Sequence, residues 1–341
     1  MSLRMLYLAS RKRGARNWTP RFIEALEERG RIRIEEETAA WEDGAAAALC
    51  REHDLVFTDW SSRRLPESLV EERGRLRYVC NLSGSIRGLI PRSFVEAGIL
   101  VSNWGPLPAG RVAEGALTLL LASLKGIVPQ HEAQRAGKWG TPDGFKRGSV
   151  KHLRVGIYGL GVIGQALVGL LRPLQPRMTG FDPFLDNWPQ EMARVSNLEA
   201  LFEASEAVLI TAALTDETRR SVGARQLRRL VDGGIVINVA RGAIIDQAAL
   251  FAELESGRLR AGLDVLDTDG RDWVPEDHPC RQWANLLLTA HVLSSSPWNS
   301  ELYEKDSLSQ GQEIALANVD RFIRNEPVKY SFDLIRYDRS T

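Results

Sequence analysis

Val155-Gly156-Ile157-Tyr158 runs straight into Gly159-Leu160-Gly161-Val162-Ile163-Gly164, after which Ile163, Leu167, Leu170, Leu171 and Leu174 recur on one helix face. A buried strand, a glycine turn and a helix in that order have a specific physical use. Gly159 permits a tight turn, Gly161 lets the backbone approach a pyrophosphate, and Gly164 allows close helix–strand contact. The free N–H groups at the helix start, around Val162 and Ile163, then face the phosphate charge. Taken alone, the glycines also suit a purely structural turn. Asp182 closes the following strand, where a carboxylate accepts hydrogen bonds from ribose hydroxyls and repels a 2′-phosphate. Neither Pro183 nor Phe184 offers that phosphate a cation, so NAD is expected in preference to NADP.

Outward from this stretch the pattern repeats. Strands are expected at Leu153–Tyr158, Met178–Phe181, Ala207–Thr211, Ile235–Val239, Ala261–Val265 and Leu286–Ala290, as near-continuous apolar runs typical of parallel strands buried on both faces. Upstream, Met5–Ala9, Ile32–Ile34, Leu55–Thr58, Leu76–Cys80 and Ile99–Ser102 alternate with helical spacing at Arg21–Arg29, Ala45–Glu52, Glu67–Arg73 and Arg92–Ala97. Strands alternating with helices imply crossover units and parallel sheets. The expected architecture is therefore α/β, with two doubly wound parallel-sheet domains. A long helix, about Gly110 to Ile127, is apolar around most of its girth, which suits burial on more than one side and predicts a homodimer there. Asp143-Gly144 and Arg147-Gly148-Ser149 form a turn-rich stretch after it, and one further helix is expected at about Gln310–Arg324.

Composition narrows the function. At roughly 150 residues per domain, 341 residues favour two domains. The 44 Lys and Arg balance 44 Asp and Glu, which removes the usual electrostatic footprint of nucleic-acid binding. Arg11-Lys12-Arg13 is too short to replace it. No apolar run approaches the roughly 18 residues of a membrane span, and Met1 to Ala9 is too brief, and too interrupted by Arg4, for a secretory signal. Cys50, Cys80 and Cys280 are odd in number and widely spaced, so neither a disulfide framework nor a metal site is expected, and a reducing cytoplasm is the default.

Three further segments end strands of the second series: Asn238-Val239-Ala240-Arg241-Gly242, Leu263-Asp264-Val265-Leu266-Asp267-Thr268-Asp269 and Leu288-Thr289-Ala290-His291. Ligands of open α/β sheets bind at the carboxyl ends of strands, which gives these residues a route to a common cleft. An arginine fork suits a carboxylate, and an imidazole donates or accepts a proton near neutrality. An acid on the other ring nitrogen orients the imidazole. Singly, an arginine or aspartate at a strand end is more often solvated or ion-paired. His53, His131, His152 and His278 lack this context.

Together these residues resemble the D-isomer-specific 2-hydroxyacid dehydrogenase family. Arg111-Val112-Ala113-Glu114 and Gly137-Lys138-Trp139 look like the two ends of its interdomain and dimer helix region. The glycine motif, Phe181-Asp182-Pro183, Leu214-Thr215-Asp216-Glu217-Thr218 and Asn238–Asp246 look like its further signatures. The resemblance implies a Rossmann NAD-binding domain, 104–294, and a flavodoxin-like substrate domain built from 1–103 and 295–341. It further implies Arg241 on the substrate carboxylate and carbonyl, His291 as acid/base and Asp269 as its acidic partner. Asp264 is expected on the nicotinamide carboxamide, with Val162, Ile163 and Ala240 also at the cofactor and the main chain of Ser83 and Gly84 holding the carboxylate. The implied reaction interconverts a small 2-keto acid and a D-2-hydroxy acid.

The chain departs from the family pattern. Asp269 stands where Glu is usual, shortening the carboxylate reach by about 1.5 Å; a water or Asp267 is the alternative link to His291. Val162 replaces a common Arg, Ala213 replaces Pro, and Leu82-Ser83-Gly84-Ser85-Ile86-Arg87 lacks an Asp often found there. An NADH-responsive binding protein of the same fold is the competing reading. Trp60, Trp104, Trp139 and Trp298 are candidates for narrowing the substrate pocket, with packing as the alternative.

Overall fold

In the computed structural model, residues 2–12, 17–140, 147–267, 274–294 and 307–340 are described. Thr268, Asp269, Trp298, Arg13 and the Asp143-Gly144 turn, all singled out above, lie outside them. Contacts divide the chain into two compact units, 1–108 with 297–341 and 109–296.

The first unit carries β1 (Leu3–Leu8), β2 (Gly30–Glu35), β3 (Leu55–Thr58), β4 (Tyr78–Asn81) and β5 (Leu100–Ser102). They form one parallel sheet in the order β2-β1-β3-β4-β5. Successive side chains of a strand point to opposite faces. Leu6, Val56 and Val79 therefore enter one apolar layer with Phe94, while Met5, Tyr7, Phe57 and Tyr78 enter the other with Phe22. The helix Gln310–Ile323 covers this second layer with Ala315, Leu316 and Val319. Arg29 clamps it by a two-pronged ion pair to Asp320, 2.7 and 2.9 Å. Further on, the Phe332 amide donates to the Val101 carbonyl at 2.9 Å.

The second unit carries β6 (Arg154–Tyr158), β7 (Arg177–Phe181), β8 (Met192–Arg194), β9 (Ala207–Ile210), β10 (Ile235–Asn238), β11 (Arg260–Leu263) and β12 (Leu286–Leu288). All pair in parallel, in the order β12-β11-β10-β9-β6-β7-β8. The winding reverses between β6 and β9, the switch point where doubly wound sheets open a crevice. On one face Ala113, Ala116, Leu119, Leu120 and Leu124 of the helix Ala109–Lys125 pack with Val155, Ile157, Leu167 and Leu171. On the other face Leu201, Phe202, Val208, Ile210, Leu250 and Leu254 form a second layer.

Four local expectations need correction. The sheet has seven strands where six were expected, because β8 is only Met192-Ala193-Arg194 with a single buried side chain. The long helix stops at Lys125 instead of Ile127, since Gly126 takes a left-handed φ of 62° and a new helix, Ile127–Arg135, begins. Glu67–Arg73 supplies one 3-10 turn, Glu67–Leu69, in place of a helix. Leu170 and Leu174, grouped with Leu167 and Leu171 on one helix face, are 39% and 36% exposed, while Leu167, Leu171 and Val168 are buried. Among the described residues no single helix is long and apolar enough to cross a membrane.

Candidate active site

The glycine turn is shaped by close approach. Gly159 has φ +88°, and a Cβ there would lie 2.4 Å from the Ala212 backbone, on the loop after β9. At Gly164 a Cβ would lie 2.2 Å from the Gly159 carbonyl oxygen, whereas at Gly161 it would meet no protein atom within 4 Å. The protein's own packing therefore explains two glycines, and at the third it leaves open space. The helix Val162–Leu171 starts at Gly161 without a side-chain cap or an acidic first turn, so its leading N–H groups suit an anion. Val162 is exposed and Ile163 half-buried at this start.

Asp182 braces the turn. One carboxylate oxygen accepts the Leu160 amide at 2.7 Å and the other the Phe184 amide at 2.9 Å. Thr211 Oγ1 donates to the Gly159 carbonyl at 2.6 Å, tying the turn to β9. Burial pushes the Tyr158 phenol above its usual pKa, with the Asp182 charge adding to the rise; its hydroxyl meets Ser221 Oγ at 3.1 Å. An open position at Gly161, uncapped N–H groups and a fixed carboxylate together fit a dinucleotide: a pyrophosphate on the turn and a ribose on Asp182. A cation absent from positions 183 and 184 comes from the next strand instead. Arg194 donates to the Asp182 carbonyl at 3.4 Å.

At the other half of the same sheet edge, the loops after β10, β11 and β12 lie side by side. Asn238 is fully buried and shapes the first loop: Oδ1 accepts the Ala240 amide at 3.0 Å, and Nδ2 donates to the Arg241 carbonyl at 2.9 Å. Arg241 Nη1 donates to the Ala240 carbonyl at 2.6 Å. Gly242 follows, and a Cβ there would fall 2.0 Å from the Leu266 carbonyl carbon, so only glycine lets the first two loops touch.

Asp264, 4% exposed, holds the third loop. Its Oδ1 accepts the Thr289 hydroxyl at 2.6 Å and the Val292 amide at 3.2 Å, the residues on either side of Ala290-His291. The Thr289 amide donates to the Leu263 carbonyl at 3.0 Å. His291 takes a left-handed φ of 55°, uncommon for a side-chain-bearing residue, and is exposed. Backbone conformations of this kind are costly and persist where surrounding bonds enforce them. Asp267, the alternative partner for His291, has its amide on Gln247 Oε1 at 2.8 Å and its carboxylate 3.9 Å from Arg220. Asn238 and Thr289 lie inside the segments singled out from the sequence, but their holding roles were missed. Only pairing of adjacent strands reveals them.

In the first unit, Ser83 and Gly84 follow β4. Asn81 Nδ2 donates to the carbonyls of Ser83 at 3.0 Å and Ser85 at 2.9 Å, and Asn103 Nδ2 donates to the Gly84 carbonyl at 2.7 Å. Ser83 is fully buried, its hydroxyl accepting from Asn81 at 2.9 Å. Side-chain amides thus fix the carbonyls of this segment. Trp60 and Trp104 meet edge to face with ring centroids 5.2 Å apart, and Trp139 is 95% exposed. His53 is buried with Nδ1 on the Leu49 carbonyl, and His278 caps Cys280. All three cysteines are buried, which pushes Cys50 up to about 12 and Cys80 up to about 11. Neutral thiols of this kind make poor nucleophiles at neutral pH.

The chain is similar to several known reductases and dehydrogenases. A glyoxylate reductase of Korarchaeum cryptofilum is 27% identical over 318 residues, spanning 88% of this chain and 91% of that protein. A D-3-phosphoglycerate dehydrogenase of Methanocaldococcus jannaschii is 26% identical over 69% of this chain, which spans only 45% of that longer protein. Among solved structures, an acyclic imino acid reductase in complex with NADPH and D-Arg superposes with a TM-score of 0.78, covering 96% of this chain and 99% of that one at 21% identity. At that identity the likeness concerns the fold. Residues 117–292, just over half of the chain, match the model of the D-isomer specific 2-hydroxyacid dehydrogenase NAD binding domain, and the chain belongs to that family.

Proposed function

We propose that this chain interconverts a small 2-keto acid and a D-2-hydroxy acid with NAD as cofactor. The observation that carries the reading is the bracing of Arg241 by Asn238 and of the His291 loop by Asp264, on three adjacent strand ends. When bound, the reduced nicotinamide supplies hydride to the keto carbon. Arg241 binds the carboxylate as a planar fork and offsets charge growing on the carbonyl oxygen. His291 holds the proton that this oxygen takes up, and recovers it in the reverse direction. Asp264 keeps the His291 loop in place and would hold the nicotinamide carboxamide, while Ala240 and the glycine turn would bind the rest of the cofactor. Asp269, outside the described residues, would be the acid that orients the imidazole. The helix Ala109–Lys125 forms a homodimer interface, and buried, unpaired thiols suit a cytoplasmic location.

The test is NADH absorbance monitored with glyoxylate, hydroxypyruvate, pyruvate and larger 2-keto acids, followed by chiral separation of the product. Consumption of NADH with a D product is expected from at least one of them. Tight NADH binding without turnover across the whole panel would sink the reading in favour of a binding protein.

A further inference from the structure

Discrimination between the two nicotinamide dinucleotides rests on one phosphate at the adenosine 2′ position, and a guanidinium beside the ribose-binding carboxylate reverses the electrostatics there. The residues directly after Asp182 supply none. The edge strand β8 does. It pairs with β7 in the register Gly180↔Arg194, which delivers Arg194 alongside the end of β7. Its guanidinium donates to the Asp182 carbonyl at 3.4 Å and lies over the Trp188 ring, 4.8 Å from the centroid. Trp188 is itself fixed, donating from Nε1 to the Met192 carbonyl at 2.8 Å. A Cβ at Gly180 would come within 3.0 Å of the Trp188 ring, so that glycine lets the indole lie across the β7–β8 seam. Arg194 is thus held on an aromatic platform at little entropic cost, and its side chain is exposed. Among the described residues its partners are a carbonyl and an indole, neither of which cancels its charge. Meanwhile each oxygen of the Asp182 carboxylate takes a backbone N–H, from Leu160 and Phe184, which blunts its repulsion of a second anion.

We propose that Arg194 makes this a site for 2′-phosphorylated adenosine, so that the chain accepts NADPH as well as NADH. The inference rests on the assignment of Asp182 to the adenosine ribose. Binding of adenosine 2′,5′-bisphosphate and of AMP to the full chain, by titration calorimetry, separates the two ideas without any need for turnover. Both probes are expected to bind, with dissociation constants within about tenfold of each other. Arg194→Ala should weaken the bisphosphate about tenfold with AMP shifted less than about twofold, Arg194→Lys should recover part of the loss, and added salt should weaken the bisphosphate more than AMP. Wild-type binding of AMP alone would overturn the inference and leave the dinucleotide site standing. Binding of neither probe would remove both. An equal loss of both probes in Arg194→Ala would make Arg194 a structural residue and end the proposal.

Discussion

The two halves of the seven-stranded sheet edge solve the same problem by opposite means. Around β6 and β7 the protein presents main chain: glycines remove side chains so that peptide groups and a helix start are left uncovered. Around β10, β11 and β12 it relies on side-chain bonds between loops, Asn238 to Arg241 and Asp264 to Thr289. A main-chain site is written in one contiguous stretch. A side-chain site depends on three segments that meet only when their strands pair.

That contrast is sharpened by variants, beginning where the effect is greatest. Arg241→Ala and His291→Ala should each lower kcat/KM by about a thousandfold or more, with Arg241→Ala also raising KM and His291→Ala acting mainly on kcat. Steady-state kinetics with the best keto acid checks this, and a wild-type rate in either variant removes that residue from the chemistry. Gly242→Ala forces a methyl into the Leu266 backbone and should cost about 3 kcal/mol of stability, read as a lowered denaturant midpoint. An unchanged midpoint would show that the loops can part freely.

Thr289→Val keeps the shape but removes a 2.6 Å bond to a buried carboxylate, a loss of about 2 kcal/mol. It should depress kcat more than NADH affinity, since it loosens the His291 loop and leaves the glycine turn intact. Equal loss of both would erase the division between the two halves. Asp182→Ser should change the NADH to NADPH ratio of kcat/KM by about tenfold toward NADPH, roughly 1.4 kcal/mol, with a smaller effect on keto-acid KM. An unchanged ratio would sever Asp182 from the ribose.

Much of this was legible from residue order, and the reason differs between regions. Gly159, Gly161, Gly164 and Asp182 lie within one strand–helix–strand unit, so local spacing already specified their geometry. The segments carrying Arg241, Asp264 and His291 were legible as strand ends, but not the bonds that lock them. Asn238 looks like any polar residue closing a strand until its neighbours across the sheet are known. β8 escaped because three residues carry too little periodic signal to separate a strand from a loop. With it went Arg194, whose side chain reaches Asp182 only through that strand's register.

From sequence alone came two doubly wound parallel sheets, the glycine turn and the strand ends worth watching, because alternating apolar periodicity and backbone sterics act over a few residues at a time. The tertiary structure alone decided that Gly242 must be glycine, that Asp264 grips the loop on both sides of Ala290-His291, and that a cation stands beside Asp182. Each of those depends on separate strands becoming neighbours about 5 Å apart in the sheet, a pairing that no local pattern encodes.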